Sequence, residues 1–514
     1  MNLLGFSHLC NAMSELEIQL KKEVADLKTG IQKSHEKIHY LECQLSKQQH
    51  QIEQLLRQLY GKKSEKLPVQ PTLFDTLPFT EEELALVTPE ENKTTVPSFE
   101  RKKPNQDPNS LRNKLPDHLR REEVIIEPKD LPEGAVRIGE EISEKLESTK
   151  AELYVKRIIR PKYALPDKSG ITIAELPEFP FSHVIAGLTL LIRILIDKYV
   201  DHIPLNRQLK RMARQGVVIK DSTIGDWVTM VSKLLSVLYS VMEQEILDSN
   251  YLGADETSIK VLDPKLTGKS HQGYFWVYMA HDKKLVYFDY HDSRGKAVVG
   301  DMLKNYTGNL QTDAYGAYAQ FSANKNIVRV GCMAHARRKF DEAIGNDREK
   351  SMHVLAIMQR VYRLEHLLRQ FNIDVEGKKK LRQKIALPML KEMFSWMKQE
   401  ITQQRPSSPI YKALQYTLKI EKELMEYTEN GSLHIDNNLV ENSIRPIAIG
   451  RKNYMFMGSH EGARRSAMLY SFMLSCKLNG INEEEWLEDV LCRINSTKQS
   501  ELVNLLPHRW KKSA

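Results

Sequence analysis

Three carboxylates stand where carboxylates are costly. Asp255 (in Leu-Gly-Ala-Asp-Glu-Thr, 252–257) and Asp313 (in Leu-Gln-Thr-Asp-Ala-Tyr, 310–315) end short apolar, strand-like runs. Glu441 lies inside a helical pattern, in Asp-Asn-Asn-Leu-Val-Glu-Asn-Ser (436–443). A carboxylate in such surroundings is expensive unless positive charge holds it there. Meeting around divalent metal, the three would make a phosphodiester-cutting site. Hard oxygen ligands suit Mg²⁺, or Mn²⁺, and no thiolate is needed. Three carboxylates can hold two such ions about 3.5–4 Å apart, one activating water or a DNA 3′-hydroxyl, the other steadying the departing oxygen. Such chemistry requires neither a covalent enzyme intermediate nor ATP.

The surrounding pattern must bring the three together. Strands are expected at Tyr251–Leu262, Tyr274–Ala280 and Leu285–Tyr290, then a helix at Lys296–Tyr306. Further strands at Asn309–Thr312 and Ile327–Gly331 feed a basic helix starting near Met333. That order suits an RNase H-like mixed sheet, with the first strand central and Asp255 and Asp313 on neighbouring strands. Alternation along the first strand puts Asp255 on one face with Gly253 and Thr257, and Glu256 on the other. Asp313, followed by Ala-Tyr-Gly, also suits a plain turn residue. Residues 345–430 read as an all-helical insertion, with Val354, Ile357, Val361, Leu364 and Leu368 at helical spacing. Beyond it Asp436 is expected to cap a helix in which Val440 and Ile444 face inward and Glu441 and Arg445 share another face. Glu421 and Glu423 (a charged helix face) and Glu461 (a glycine loop) are weaker candidates.

The chain has 514 residues, enough for about three domains, and a net charge of +8. The excess is clustered: six basic residues against one acid in 198–220, five against none in 325–339, five against one in 445–465. Clusters on otherwise balanced segments suit a polyanion. The candidate DNA contacts are Arg207, Lys210, Arg211 and Arg214; Arg337, Arg338 and Lys339; and Arg445, Arg451, Lys452, Arg464 and Arg465. A basic helix (204–215), a turn (216–220) and a second helix capped by Asp221 or Ser222 could form a helix-turn-helix. The five cysteines show no paired spacing, which argues against a disulfide framework. The longest apolar run, 184–196, is too short and too polar to span a bilayer, and no secretory leader is visible. A soluble cytoplasmic protein is expected.

Residues 20–59 follow a heptad in which ten of twelve seam positions are apolar, from Leu20 and Val24 to Leu55 and Leu59. That period predicts a coiled coil over 13–66 and a homodimer. Eight prolines in 68–116 mark a flexible linker, 67–117. A small β-rich module follows at 118–179, then a helical segment at 180–248. The catalytic core is expected at 249–344 and 431–475, split by the insertion, with a C-terminal helical segment at 476–514.

Leu252-Gly-Ala-Asp-Glu-Thr257, Gln311-Thr-Asp-Ala-Tyr-Gly-Ala-Tyr318, Gly331-Cys-Met-Ala-His-Ala-Arg-Arg-Lys-Phe340, Asp436-Asn-Asn-Leu-Val-Glu-Asn-Ser-Ile-Arg-Pro446 and Gly458-Ser-His-Glu-Gly-Ala463 together resemble the bacterial DDE transposases of the insertion sequence sixty-six family. The likeness runs from the heptads to Cys476-Lys-Leu-Asn-Gly-Ile481. It implies that Asp255, Asp313 and Glu441 are the catalytic triad and that the partners are element ends and target DNA, with small accessory proteins of the same element possible. Family members often carry a cysteine-rich zinc module near the position of 122–170. This chain has no cysteine between Cys43 and Cys332, so no structural zinc is expected. Cys332-Met-Ala-His335 has no second pair nearby. It reads either as a buried cysteine before a helix-start histidine, or as a site-flanking pair in which His335 orients a phosphate. Two other functions stay open: a dimeric DNA-binding regulator without catalysis, and an RNase H-type two-metal nuclease.

Overall fold

The structure is a computed structural model that describes residues 153–157, 162–164, 171–173, 180–181, 184–263 and 269–512. The expected coiled coil, the linker and most of the β-rich module lie outside the described residues. Of that module, β1 (Lys162–Ala164) and β2 (Ile171–Ile173) pair antiparallel. The described chain forms two units: one holds His335–Gln370 and Arg382–Glu421, the other the remaining described residues.

The larger unit opens with three helices, α1 (Leu188–Tyr199), α2 (Leu205–Ala213) and α3 (Asp221–Leu247). Asp197 of α1 is fully buried, and a lone buried carboxylate would be costly. Arg193 Nε at 3.0 Å and the guanidinium of Arg211 on α2 neutralise it. The expected stripe of α3 is the one buried: Ile224, Trp227, Val228, Val231, Leu235 and Leu238. The expected cap is corrected. Lys220 holds the N-cap position and no side chain closes it, while Asp221 lies in the first turn, where its charge complements the helix dipole.

The sheet follows: β3 (Tyr251–Leu262), β4 (Ser270–Ala280) and β5 (Leu285–His291), helix α4 (Lys296–Met302), β6 (Gly308–Gln311) and β7 (Ile327–Val330), then α5 (Met333–Ala343). Its order is β5-β4-β3-β6-β7, so β3 is central. β3, β4 and β5 pair antiparallel, and β6 and β7 join in parallel. β4 starts earlier than expected, at Ser270. Helix α4 ends earlier, because Tyr306 turns into the core and its hydroxyl donates to Asn309 O at 2.8 Å. Phe275 and Val277 on one face of β4, and Trp276 and Tyr278 on the other, are all fully buried. Both faces of the sheet are therefore covered, as in α/β layers.

Residues 345–430 are mainly helical, as expected: α6 (Arg348–Gln370), α7 (Val375–Leu381), a π turn (Arg382–Ala386), α8 (Leu387–Glu400), α9 (Pro409–Lys419) and α10 (Glu421–Glu426). Within the smaller unit Arg382 grips Glu365 in a buried two-point pair at 2.7 and 2.8 Å.

The chain returns to the sheet as α11 (Asn438–Tyr454), α12 (His460–Leu478) and α13 (Glu483–Arg493). β5 is an edge strand, and unpaired edge groups must find partners when buried. Two serines one turn apart on α12 supply them. Ser471 Oγ accepts from Phe288 N–H at 2.8 Å and Ser475 Oγ from Val286 N–H at 3.0 Å. The Tyr239 hydroxyl of α3 donates to Phe288 O. Among the described residues no helix is long and apolar enough to cross a membrane.

Candidate active site

Register brings the two aspartates to one end of the sheet. In the parallel pairing of β3 and β6, Gly253 stands opposite Gln311. Asp255 follows two residues later on β3 and Asp313 two residues later, just past the end of β6, so both stand at the same end of adjacent strands, which lie about 4.8 Å apart. Asp313 also closes a turn, its Oδ1 accepting from Tyr315 N–H at 2.9 Å. The turn residue and the site residue are one and the same.

Helix α11 packs on β3 at Gly253. A Cβ at Gly253 would stand 2.5 Å from Val440 Cγ2, 2.9 Å from Asn437 Oδ1 and 2.7 Å from His281 Nε2. Only glycine allows the helix carrying Glu441 so close to the central strand. The buried Asn437 fixes its start, donating from Nδ2 to Ala254 O at 3.0 Å and from its backbone N–H to Cys332 Sγ at 3.3 Å. Asn437, not Asp436, holds the N-cap position; Asp436 instead accepts from Asn438 N–H at 3.1 Å. Val440 is fully buried and Ile444 partly so, as expected.

A buried polar knot holds the segment entering α11. Gln311 accepts from the Tyr251 hydroxyl and donates to His434 O at 2.8 Å and Gly331 O at 3.2 Å. His434 N–H donates to the Tyr251 hydroxyl at 3.0 Å. His281 stacks on Tyr251, ring centres 4.3 Å apart, and meets His434 edge-on at 5.0 Å. Burial, reinforced by His434, pushes the His281 imidazole down to about 3, so it is neutral at physiological pH.

The electrostatics single out Asp255. Burial, followed by the charges of Glu256, Asp313 and Glu441, pushes its carboxyl up to about 8, against the pull of a 2.8 Å bond from Glu256 N–H. Glu256 is engaged elsewhere: Arg294 pairs with it and Tyr318 donates to it at 3.2 Å. Its carboxyl is raised by burial, an effect the Arg294 partnership opposes.

The expected DNA contacts are distributed unevenly. On α2 and its C-cap, Arg207, Lys210 and Arg214 are exposed, whereas Arg211 is committed to buried Asp197. On α5, Arg338 is exposed, Arg337 half-buried, and Lys339 meets Glu342 at 3.2 Å. On α11, Arg445 and Lys452 are exposed, but Arg451 turns inward to Thr257 Oγ1 at 3.0 Å and to Ser258 O. On α12, exposed Arg464 pairs with Glu461, which sits in the first turn of that helix rather than in a loop, and Arg465 is half-buried. Cys332 is fully buried, its Sγ within 4.8 Å of a Glu441 carboxylate oxygen. His335 follows one turn later, half-buried on α5.

The sequence assigned no role to Gly253, Gln311, Asn437 or Arg294. Gln311 is a buried amide at the end of β6, a position for which the sequence alone gave no role. Arg294 had no readable signal, because its partner is 38 residues away.

Carboxylates such as these suit a hard divalent cation if they serve as its oxygen ligands, and burial, then the neighbouring acids, favours a proton on Asp255 in its absence. Cation binding must displace that proton, so affinity should climb with pH until Asp255 ionises unaided. The rise in melting temperature caused by a fixed Mg²⁺ concentration should grow from about pH 6 to about pH 8 and then level off. A pH-independent shift across that window would place the cation elsewhere.

Residues 183–465 match the family model described as Transposase IS66 family, residues 471–508 its C-terminal element, and residues 47–124 the model described as Transposase C of IS166 homeodomain. Three relatives from Sinorhizobium fredii are similar over most of their length, each known as an uncharacterized protein. They are y4hP (29% identical, covering 90% of this chain and 88% of the relative), y4jD (33%, 77% and 81%) and y4qI (31%, 77% and 77%). The chain belongs to the IS66 family of transposases.

Proposed function

We propose that the chain is a DDE-type DNA transposase that cuts the 3′-ends of its insertion sequence and joins them to target DNA. In this reading the five-stranded sheet is an RNase H-like core, and Asp255, Asp313 and Glu441 are the catalytic carboxylates and cation ligands. What supports it is the register that brings Asp255 and Asp313 to the same end of adjacent strands and the close packing of the Glu441 helix on Gly253, with Asp255 raised by burial and then by the charges of Glu256, Asp313 and Glu441. Mg²⁺ is the cation best matched to such ligands, with Mn²⁺ a substitute. When bound, it would activate the attacking oxygen and stabilise the leaving one. The protein's own part is to hold three ligands rigidly. Gly253 lets the Glu441 helix approach, the Tyr251–Gln311–His434 knot fixes its entry, and Arg294 draws Glu256 away from the cation.

The test uses the full-length protein, Mg²⁺, and labelled duplexes taken from the two borders of the element that encodes it. The expected products are a nick at the border and its covalent joining to a target plasmid, both abolished by EDTA. Border binding without metal-dependent nicking would identify a regulator. Cutting of RNA–DNA hybrids with no preference for borders would identify a nuclease.

A further inference from the structure

The outer face of α11 leads away from the carboxylates to an apolar tip. Asn438, Asn442, Arg445, Ile449 and Lys452 are all exposed and recur at helical spacing. Residues 442–459 contain no acid, and neither do residues 205–214 of α2. Arg207 of α2 donates to Asn453 Oδ1 at 3.1 Å, which sets the exposed Arg207–Lys210–Arg214 edge beside the end of α11. Between these basic edges the chain makes a tight γ-turn. Met455 has φ 60 and ψ −41, and Phe456 N–H donates to Tyr454 O at 2.7 Å. Such a turn is rare and strained for a residue with a side chain. It is anchored on the far side by Met457, which bonds Lys260 O and Leu262 N–H, each at 2.8 Å. The strain buries nothing: Met455 is 68% exposed, Phe456 40% and Ile449 51%.

Resting on the transposase reading above, we infer that the Met455–Phe456 turn is a base-contacting wedge for the element's end. Lys452 and Arg445 on one side, and Arg207, Lys210 and Arg214 on the other, hold the flanking phosphates. A strand crossing an exposed basic surface with a projecting aromatic is the arrangement that pairs phosphate contacts with base stacking. The position follows from two independent rulers. Along β3, Asp255 to Val261 is about 20 Å at 3.3 Å per residue. Along α11, Glu441 to Tyr454 is also about 20 Å at 1.5 Å per residue. At about 3.4 Å per base step, the wedge meets the DNA roughly six steps from the cut. Contact there would contribute to recognition of the end sequence, a task the carboxylates cannot perform.

The experiment uses the full-length protein and border duplexes carrying 2-aminopurine at successive positions across the terminal ten or so base pairs. Fluorescence should rise on binding at one or two positions about six from the border, and nowhere else. Phe456→Ala should erase that rise and weaken binding about tenfold with an unchanged salt slope. Phe456→Trp should keep both. Lys452→Ala should lower the salt slope by about one and keep the fluorescence signal. Because Phe456 is half-exposed, its variants should melt with the wild type. Equal fluorescence and affinity in Phe456→Ala, while the wild type binds and nicks borders, would overturn the wedge and leave the transposase reading standing. A change in self-association with unaltered DNA affinity would instead assign the tip to a second copy of the chain. A wild-type protein that binds no border duplex would remove both readings together.

Discussion

Asp255→Asn should abolish metal-dependent border nicking and, at the same time, make the metal-free protein more resistant to heat. Loss of one cation ligand removes transition-state stabilisation of at least about 4 kcal/mol, roughly a thousandfold in rate. The stability gain has the opposite origin. The Asp255 carboxyl is pushed up to about 8 in the fold, against an ordinary value of 3.8. The native state therefore holds that proton more tightly than the unfolded chain does. Its contribution favours folding below about pH 4 and is lost as pH rises toward 8. Asparagine is exempt from that loss, so its advantage in melting temperature should be widest near pH 8 and vanish near pH 4. Asp313→Asn and Glu441→Gln should match the loss of nicking. All three should still bind border duplexes, since the proposed phosphate contacts lie elsewhere. Retained nicking in any one would remove that residue from the triad. A lower melting temperature for Asp255→Asn in EDTA at pH 8 would mean that the fold does not disfavour the charged form of Asp255.

Gly253→Ala should damage catalysis without touching a ligand. Its methyl group would lie 2.5 Å from Val440 Cγ2, next to Glu441 in the chain, and neither β3 nor a branched side chain on a packed helix yields cheaply. The helix must retreat. A displacement of about 1 Å at a reacting centre costs about a hundredfold in rate, and overpacking costs about 1–3 kcal/mol of stability. Nicking should fall by that factor while border binding persists. Val440→Ala in the same chain should restore part of both, because it vacates the space the new methyl needs. If Gly253→Ala nicks at the wild-type rate, Glu441 does not depend on this close approach.

The sequence by itself determined the elements and the candidates. β3 runs over the residues that its apolar pattern marked, and α5 starts at the expected Met333. The buried stripe of α3 is the one read from helical spacing, and alternation alone set Asp255 apart from Glu256. These are local properties, fixed by periodicity within one strand or helix. Ends were read less well: Asp221 and Asp436 are acids beside helix starts, and neighbouring backbone took the cap position in each case. What only the tertiary structure decided is how the elements meet. The missing Cβ of Gly253, the Gln311 amide reaching His434 O and the Arg294 hold on Glu256 all join residues far apart in the chain. So does the commitment of Arg211 to buried Asp197, which no count of basic residues could separate from a DNA contact. A carboxylate's cost and use depend on what surrounds it within a few ångströms. For Asp255 those surroundings come from β3, β6 and α11 at once, and periodicity within any one of them carries no record of the other two.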